Sequence, residues 1–234
     1  MKRFLNCQGG GTDPLLTRCL TNRHNKLQSG FTLAEVLVTL GIIGVVSAMT
    51  IPTLMQNHQR TTYVTQLHKV YNEVSQAALQ VMADSNASSL QESKLRRQGS
   101  AYFLSNYFKT TITCSGSDTS DCFASDYTNM NGTAITLSNT IPTTAQCAVL
   151  ASGAAICMNG SSSYTVVTDI NGKAGPNILG RDLFSFILGS DGTVSTGDVK
   201  SIASNFSSNC SSATGDAYGY CFAKILNDGW KMDY

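Results

Sequence analysis

The chain has 234 residues, of which 42% are hydrophobic and only 13% are charged, and its formal net charge at pH 7 is +1. The apolar content is sufficient for a folded core, which excludes intrinsic disorder of the whole chain. A near-neutral charge without a block of Lys and Arg is not typical of a nucleic-acid binder, and three histidines leave little material for His-based metal or triad chemistry.

The first thirty residues form a basic leader, with five Lys and Arg residues against the single acid Asp13. The rest of the chain has eleven basic and fourteen acidic residues. An apolar run follows from Phe31 to Leu54, in which Glu35 is the only ionisable side chain. As a helix, the stretch from Phe31 to Ile51 would be roughly 32 Å long, which is enough to cross a bilayer. We expect the positive leader to stay in the cytoplasm and the remainder to cross the membrane.

The apolar run does not end like a cleaved secretory signal. Met49 to Pro52 lead directly into a polar, amphipathic pattern, so we expect the apolar segment to be retained. A carboxylate such as Glu35 costs about 2.5 to 3.5 kcal/mol at the centre of a membrane and less near its surface. A specific counter-charge for Glu35 is therefore the natural hypothesis.

The start of the apolar run carries a distinctive motif: GFTLAEVL at residues 30–37, GIIG at 41–44, and then Pro52. These residues resemble the prepilin family, which comprises the subunits of type IV pili and of the related type II secretion pseudopili. The resemblance implies cleavage by prepilin peptidase after Gly30, methylation of the new Phe31 amine, and assembly through the apolar helix. It also implies that Glu35 meets the Phe31 amine of a neighbouring subunit.

Three further residues of the apolar run bear on assembly. Gly44 and Ala48 offer a small-xxx-small face for close helix packing in a filament, although small residues are also tolerated anywhere in a membrane helix. Pro52 lacks an N–H and is expected to kink or loosen the helix. The chain departs from the family pattern in its long leader and in Ser29, where a basic residue often precedes the glycine.

From Tyr63 onward, apolar residues recur at intervals of three and four, which predicts one stripe of an amphipathic helix. We therefore expect one long helix, with residues 31–54 as its membrane and assembly half and residues 55–97 as its amphipathic half. The stripe consists of Val64, Leu67, Val70, Tyr71, Val74, Ala77, Ala78 and Val81.

Residues 98–234 are predicted to form a globular, β-rich head, because the composition shifts to Ser, Thr, Gly and Asn with short β-rich runs. The expected fold class is thus α+β and pilin-like, with the long helix packed on a small antiparallel sheet whose loops are closed by disulfides. Residues 169–177, 180–184 and 229–234 also resemble head motifs of pilin-like proteins. The predicted strands are Ala134–Leu137, Ala148–Ala151, Ala154–Met158, Tyr164–Ile170 and Leu183–Leu188.

Eight cysteines divide between the leader, which holds Cys7 and Cys19, and the head, which holds six. Six cysteines on the exported side of a membrane predict disulfides, and buried thiols are the alternative. Fifteen connectivities are open, and the sequential pairs are favoured because they close short loops. In one of them, residues 151–153 would form a hairpin turn with Gly in the left-handed position. These pairs are Cys114–Cys122, Cys147–Cys157 and Cys210–Cys221.

No cofactor is expected. Asp169 and Asn171 begin like a calcium loop, but Ala174 and Gly180 occupy the positions that need Gly and Glu. Because some secretion pseudopilins hold calcium in a head loop, the resemblance leaves open an irregular site using Asp169, Asn171 or Asp182. Otherwise these side chains form turn and capping hydrogen bonds. An enzyme is not expected, because no nucleophile–base pair or phosphate-binding glycine motif is present.

The expected function is that of a structural subunit, major or minor, of a type IV pilus-like filament, with other pilins, prepilin peptidase and the inner membrane as partners. A type II secretion pseudopilin and a membrane-tethered adhesion or binding protein are the alternatives. The precursor is expected to span the inner membrane once with its head outside the cytoplasm, and the mature form to reside in a pilus or a periplasmic pseudopilus. Nucleic acid is not an expected partner, because only Lys94, Arg96 and Arg97 form a basic cluster.

Overall fold

The computed structural model describes residues 30–196, 210 and 219–234. The predicted leader up to residue 29, with Cys7 and Cys19, and residues 197–209 and 211–218 of the predicted head lie outside these ranges. The chain divides into two compact units, Met1–Ala48 and Met49–Tyr234.

The long helix is α1, which spans Leu33–Asp84. Its large apolar side chains up to Leu54 are exposed. Within the described ranges, α1 is the one helix whose length and composition would suit a membrane crossing. It continues through Pro52, although this residue cannot donate a backbone hydrogen bond to the carbonyl of Ala48.

The second half of α1 buries one stripe of side chains, as the spacing predicts. Every residue of the predicted stripe is buried except Tyr71, which is half-buried, and Met82 extends the stripe by one position. The opposite face is open to solvent, and Leu79 on that face is 60% exposed. The three- and four-residue periodicity therefore identified the side of α1 that belongs to the core.

α1 ends at Asp84, so the boundary predicted at residue 97 falls inside the next helix instead. Asn86 has a φ of +49°, which is incompatible with continued α-helix. A second helix, α2, spans Lys94–Tyr107 and begins after Ser93, whose side chain accepts a hydrogen bond from the N–H of Leu95. The turn residues between the helices, and not the apolar pattern, set this boundary.

The head contains a six-stranded antiparallel sheet in the order β1-β4-β5-β6-β7-β8 and a two-stranded pair, β2-β3. The strands β3 to β7 overlap the five predicted strands, whereas β1, β2 and β8 had no prediction. The strands are β1 Thr110–Ser115, β2 Tyr127–Thr128, β3 Ala134–Ile135, β4 Gln146–Leu150, β5 Ala155–Gly160, β6 Tyr164–Asp169, β7 Leu183–Leu188 and β8 Val194–Ser195, with a 3₁₀ turn at Leu137–Asn139 and a third helix, α3, at Tyr220–Asn227.

One hydrophobic core joins these elements. The buried stripe of α1 belongs to the same cluster as the buried side chains of the sheet, while α2 packs against β4 and α3 against β7. The C-terminal tail adds Trp230, whose ring centroid lies 4.1 Å from that of His68 and 5.3 Å from that of Tyr71, both on α1. The long helix, the antiparallel sheet and the disulfide-closed loops together form an α+β, type IV pilin-like fold.

Three disulfides close loops of the head, and they are the sequential pairs Cys114–Cys122, Cys147–Cys157 and Cys210–Cys221. Cys147 and Cys157 lie directly opposite each other on β4 and β5. The intervening turn has Gly153 at a φ of +90°, a conformation that favours glycine.

Non-reducing peptide mapping should recover these three pairs. Replacing both Cys147 and Cys157 by Ala should lower the free energy of unfolding by roughly 2 to 3 kcal/mol, because the unfolded chain then regains the entropy of a short open loop. Free thiols in the exported head would contradict the assignment.

Truncation of the α1 stripe should destabilise the head. Leu67 is fully buried, so Leu67→Ala should lower the free energy of unfolding by about 2 to 5 kcal/mol through lost burial and a residual cavity. The matched control is Leu79→Ala, which removes the same atoms from an exposed position of the same helix and should change it by no more than about 0.5 kcal/mol. Denaturant unfolding measures the free energy of unfolding of both variants. Equal losses in the two variants would show that the wrong face of α1 was assigned to the core.

Candidate functional site

The segment before α1 is open. Apart from its neighbours in the chain, no described residue comes within 4 Å of the position that a Cβ on Gly30 would occupy, and Phe31 is 88% exposed. Since Gly30 has no side chain, a protease can approach the backbone closely at the Gly30–Phe31 bond. The predicted cleavage point is therefore accessible.

Thr32 and Glu35 form a capping box at the first turn of α1. The backbone N–H and the hydroxyl of Thr32 both donate to Oε2 of Glu35 at 2.8 Å, and the N–H of Glu35 donates to Oγ1 of Thr32 at 3.2 Å. This arrangement satisfies two of the backbone donors that the start of a helix leaves unpaired. Within the described part of the chain, the second carboxylate oxygen, Oε1, accepts no hydrogen bond.

The capping box was missed in the sequence, although its signal was present. Thr-x-x-Glu immediately before an apolar helical run is the pattern of this motif. Glu35 thus caps its own helix in addition to carrying a charge near the start of the apolar run. The two properties can be separated, because a Gln side chain retains the acceptor oxygen but has no charge.

The other predicted assembly residues lie further along α1. Gly44 and Ala48 are exposed and, four residues apart, share one face of the helix. Apart from its chain neighbours and the adjacent backbone of the helix, a Cβ added to Gly44 would meet no described atom within 4 Å. Pro52 lies inside the helix and is also exposed. The subunit itself therefore does not require these small residues, and their part in filament packing stays a prediction.

The two head motifs meet near the C-terminus. The hydroxyl of Tyr234 donates to the carbonyl of Gly180 at 2.8 Å. Asp182 is fully buried, and its two carboxylate oxygens accept the N–H groups of Asn177 and Ile178 at 2.6 Å. These contacts fold the segment before β7 into a tight turn and hold the tail on it.

Asp169, at the end of β6, is the second buried carboxylate of this region. It accepts a hydrogen bond from the hydroxyl of Tyr127 at 2.6 Å and another from the N–H of Asn171 at 3.1 Å. The Nδ2 of Asn171 donates to the carbonyl of Gly175 at 3.0 Å. The candidate calcium ligands Asp169, Asn171 and Asp182 thus lie in one region and make turn hydrogen bonds. Among the described residues no cluster of three or more His, Cys, Asp or Glu is suited to a metal ion.

The electrostatics of this region follow from burial. Loss of solvent raises the pKa of Asp169 to about 7, against the lowering effect of the Tyr127 hydrogen bond, and the nearby charge of Asp182 raises it further. Burial also raises the pKa of Asp182, although the backbone N–H donors oppose this. The pKa of the Tyr127 phenol is raised by burial and by its Asp169 partner.

The stability of the head should depend on pH because of Asp169. Its pKa is about 7 when folded and 3.8 in water, so between these values the folded chain binds more protons than the unfolded chain. The free energy of unfolding should therefore fall as the pH rises through this window, by at most about 1.4 kcal/mol per pH unit. Asp169→Asn should reduce the slope, whereas the exposed control Asp126→Asn should preserve it. Denaturant unfolding at several pH values tests this, and an unchanged slope in Asp169→Asn would contradict it.

Comparison with known proteins concerns the N-terminal segment. Residues 25–51 match the family model described as the prokaryotic N-terminal methylation motif. No curated protein and no solved structure matches the chain. The matched residues include the accessible Gly30–Phe31 bond, the capping box and most of the exposed apolar run. The chain therefore carries the prepilin-type motif that is the hallmark of type IV pilins and pseudopilins.

Proposed function

We propose that this chain is a structural subunit, major or minor, of a type IV pilus-like filament that assembles through the first half of α1. The observation that carries the proposal is the exposed apolar surface from Phe31 to Leu54 with Glu35 at its start. Such a surface is stable only in lipid or against other apolar helices. A simple anchor would need the apolar surface and could use Glu35 as a helix cap, but it would have no use for the negative charge of that side chain.

Processing supplies the positive partner that the Glu35 carboxylate lacks. Hydrolysis of the Gly30–Phe31 bond leaves a carboxylate on Gly30 and frees the amine of Phe31, which is largely protonated at neutral pH. Methylation, which the motif implies, keeps that positive charge. The amine of an adjacent subunit can then pair with the second oxygen of Glu35 while the first remains in the capping box. In apolar surroundings this pair fixes the axial register between subunits, since an unpaired charge there is strongly unfavourable.

The proposed partners and location follow from the same segment. Prepilin peptidase acts on the precursor, and other pilins surround the mature helix. The basic leader keeps the N-terminus in the cytoplasm, so the head lies outside it, where an oxidising compartment allows its three disulfides. The role is structural and not enzymatic, and it requires no cofactor.

A pseudopilin of a type II secretion system is the alternative within the same class. A pseudopilin would use the same cleavage, helix and carboxylate. A pilus and a pseudopilus therefore differ in whether the filament extends beyond the cell surface or stays in the periplasm. Filaments sheared from the cell surface would favour a pilus, whereas assemblies confined to the periplasm would favour a pseudopilus. A membrane-tethered adhesion protein would form neither.

Processing is predicted at the Gly30–Phe31 bond. Intact-mass and N-terminal analysis of the membrane-extracted chain should show a mature end at Phe31 with one added methyl group. Gly30→Val should block cleavage, because a branched side chain prevents close approach to the backbone. Gly41→Val, at another exposed glycine of the segment, is the control and should be cleaved normally. An uncleaved wild-type chain or a mature end after Ala48 would contradict the prediction.

Filament assembly is predicted to depend on the charge of Glu35. Glu35→Gln keeps the acceptor for Thr32 but removes the charge, so it should leave insertion, cleavage and head folding intact. Its filament yield should fall by about tenfold or more, as expected when a charge-assisted hydrogen bond is lost at each interface. The measurement is the amount of sheared or detergent-resistant filament at equal membrane levels.

The matched control is Thr32→Val, which removes the capping hydroxyl and keeps the charge. It should loosen the first turn of α1 by about 1 kcal/mol and still assemble. The reverse result, with Glu35→Gln assembling normally and Thr32→Val failing, would show that Glu35 serves the helix cap and not the contact between subunits.

A further inference from the structure

Two arginines meet in a cleft of the head beside α1. Arg60 of α1 and Arg181, from the turn before β7, line a hollow of about 230 Å³. The other residues that line it, Gln56, Gln59 and Tyr63, all carry side-chain hydrogen-bond donors. Among the residues that the structure describes, no acidic side chain lines the cleft.

Neither arginine has an acidic partner in the described part of the chain, where the one salt bridge joins Lys224 and Asp228. The Nε of Arg60 is buried and has no hydrogen-bond partner there. An unpaired buried donor of a charged group is costly, so most such groups have a partner. The described residues therefore supply no acceptor for this donor of Arg60.

The surroundings hold Arg181 in place without neutralising it. Its guanidinium carbon lies 6.0 Å from the centre of the Tyr234 ring, which Gly180 anchors through the phenol hydrogen bond. The adjacent Asp182 uses both carboxylate oxygens on backbone N–H groups. Arg60 also lines a second hollow, where the formal charges of the other two ionisable residues, Lys231 and Asp233, cancel. The positive charge of the cleft therefore comes from Arg60 and Arg181 themselves.

The cleft lies close to the end of the apolar run. Leu54 ends that run, and Arg60 follows on the same helix roughly 9 Å further along, at a rise of about 1.5 Å per residue. The polar layer on each side of a bilayer is about 5 to 8 Å thick, and an arginine side chain can extend its alkyl stem toward that layer. When the apolar run spans a membrane, the cleft therefore opens near the lipid phosphates.

We infer that the cleft between Arg60 and Arg181 binds the phosphate of an anionic phospholipid in the unassembled, membrane-inserted subunit. Guanidinium groups bind phosphate through two parallel N–H bonds, and the cleft places two of them on one small hollow. The amides and the phenol supply further donors for the remaining oxygens. The lipid would fix the depth and rotation of the head at the membrane surface until the subunit enters a filament.

Native mass spectrometry of the full processed chain, released from micelles with equal amounts of phosphatidylglycerol and phosphatidylcholine, tests this inference. Wild type should retain phosphatidylglycerol in preference to phosphatidylcholine by about tenfold, as expected for charge-assisted hydrogen bonds. Arg60→Gln and Arg181→Gln should each reduce that preference to near unity. The control Arg97→Gln removes an exposed arginine of α2 and should retain the full preference.

Three outcomes would overturn the inference: no preference in wild type, a preference that both cleft variants keep, or displacement of the lipid by inorganic phosphate at an equal concentration. The last would assign the cleft to soluble phosphate. Cleft variants that bind lipid normally but fail to join filaments would assign it to a neighbouring subunit. If thermal unfolding shows that Arg181→Gln destabilises the head, Arg60→Gln alone decides. The lipid-retention measurements require neither Glu35 nor a filament, so this inference and the proposed function can fail independently.

Discussion

The structure depends on one helix, α1, that carries more apolar surface than the core of the head can cover. Over its second half, α1 directs apolar residues to one face, and the head covers that stripe. Over its first half, up to Leu54, apolar side chains are exposed in every direction. Each Å² of apolar surface that leaves water stabilises the protein by about 25 cal/mol. This half of the helix is therefore unfavourable in water and needs lipid or other helices to cover it. The helix thus has two parts that suit two different environments.

This constraint explains why the head is stabilised by local and covalent links. Its three disulfides join cysteines 8 to 11 residues apart. Such links hold loops in place without enlarging the core. The tail contributes through Trp230, which packs on α1, and through Tyr234, which holds the turn before β7. A head built in this way can remain folded whether its helix lies in lipid or among other subunits.

The sequence predicted those features whose determinants are close together along the chain. The stripe of α1, the hairpin that places Cys147 opposite Cys157, and the N-terminal motif each occupy a short segment. The end of α1 was placed too late because α2 also buries apolar residues, while the break depends on the backbone of Asn86. Contacts between distant residues could not be predicted: Tyr127 and Asp169 are 42 positions apart, and nothing in a single sequence indicated that Arg181 lies beside Arg60.

The apolar half of α1 also decides which interactions can drive assembly. Lipid tails are as apolar as a neighbouring helix, so moving this surface from a bilayer into a filament changes its hydrophobic free energy little. The free energy of the transfer must then come from terms that differ between the two environments. In the proposed filament these are the close approach at Gly44 and Ala48 and the pairing of Glu35 with a new amine. Release of an anionic lipid from the arginine cleft would oppose them. Assembly is then controlled by the two small residues within the apolar run and by the charged groups beyond its hydrophobic surface, and not by its hydrophobicity.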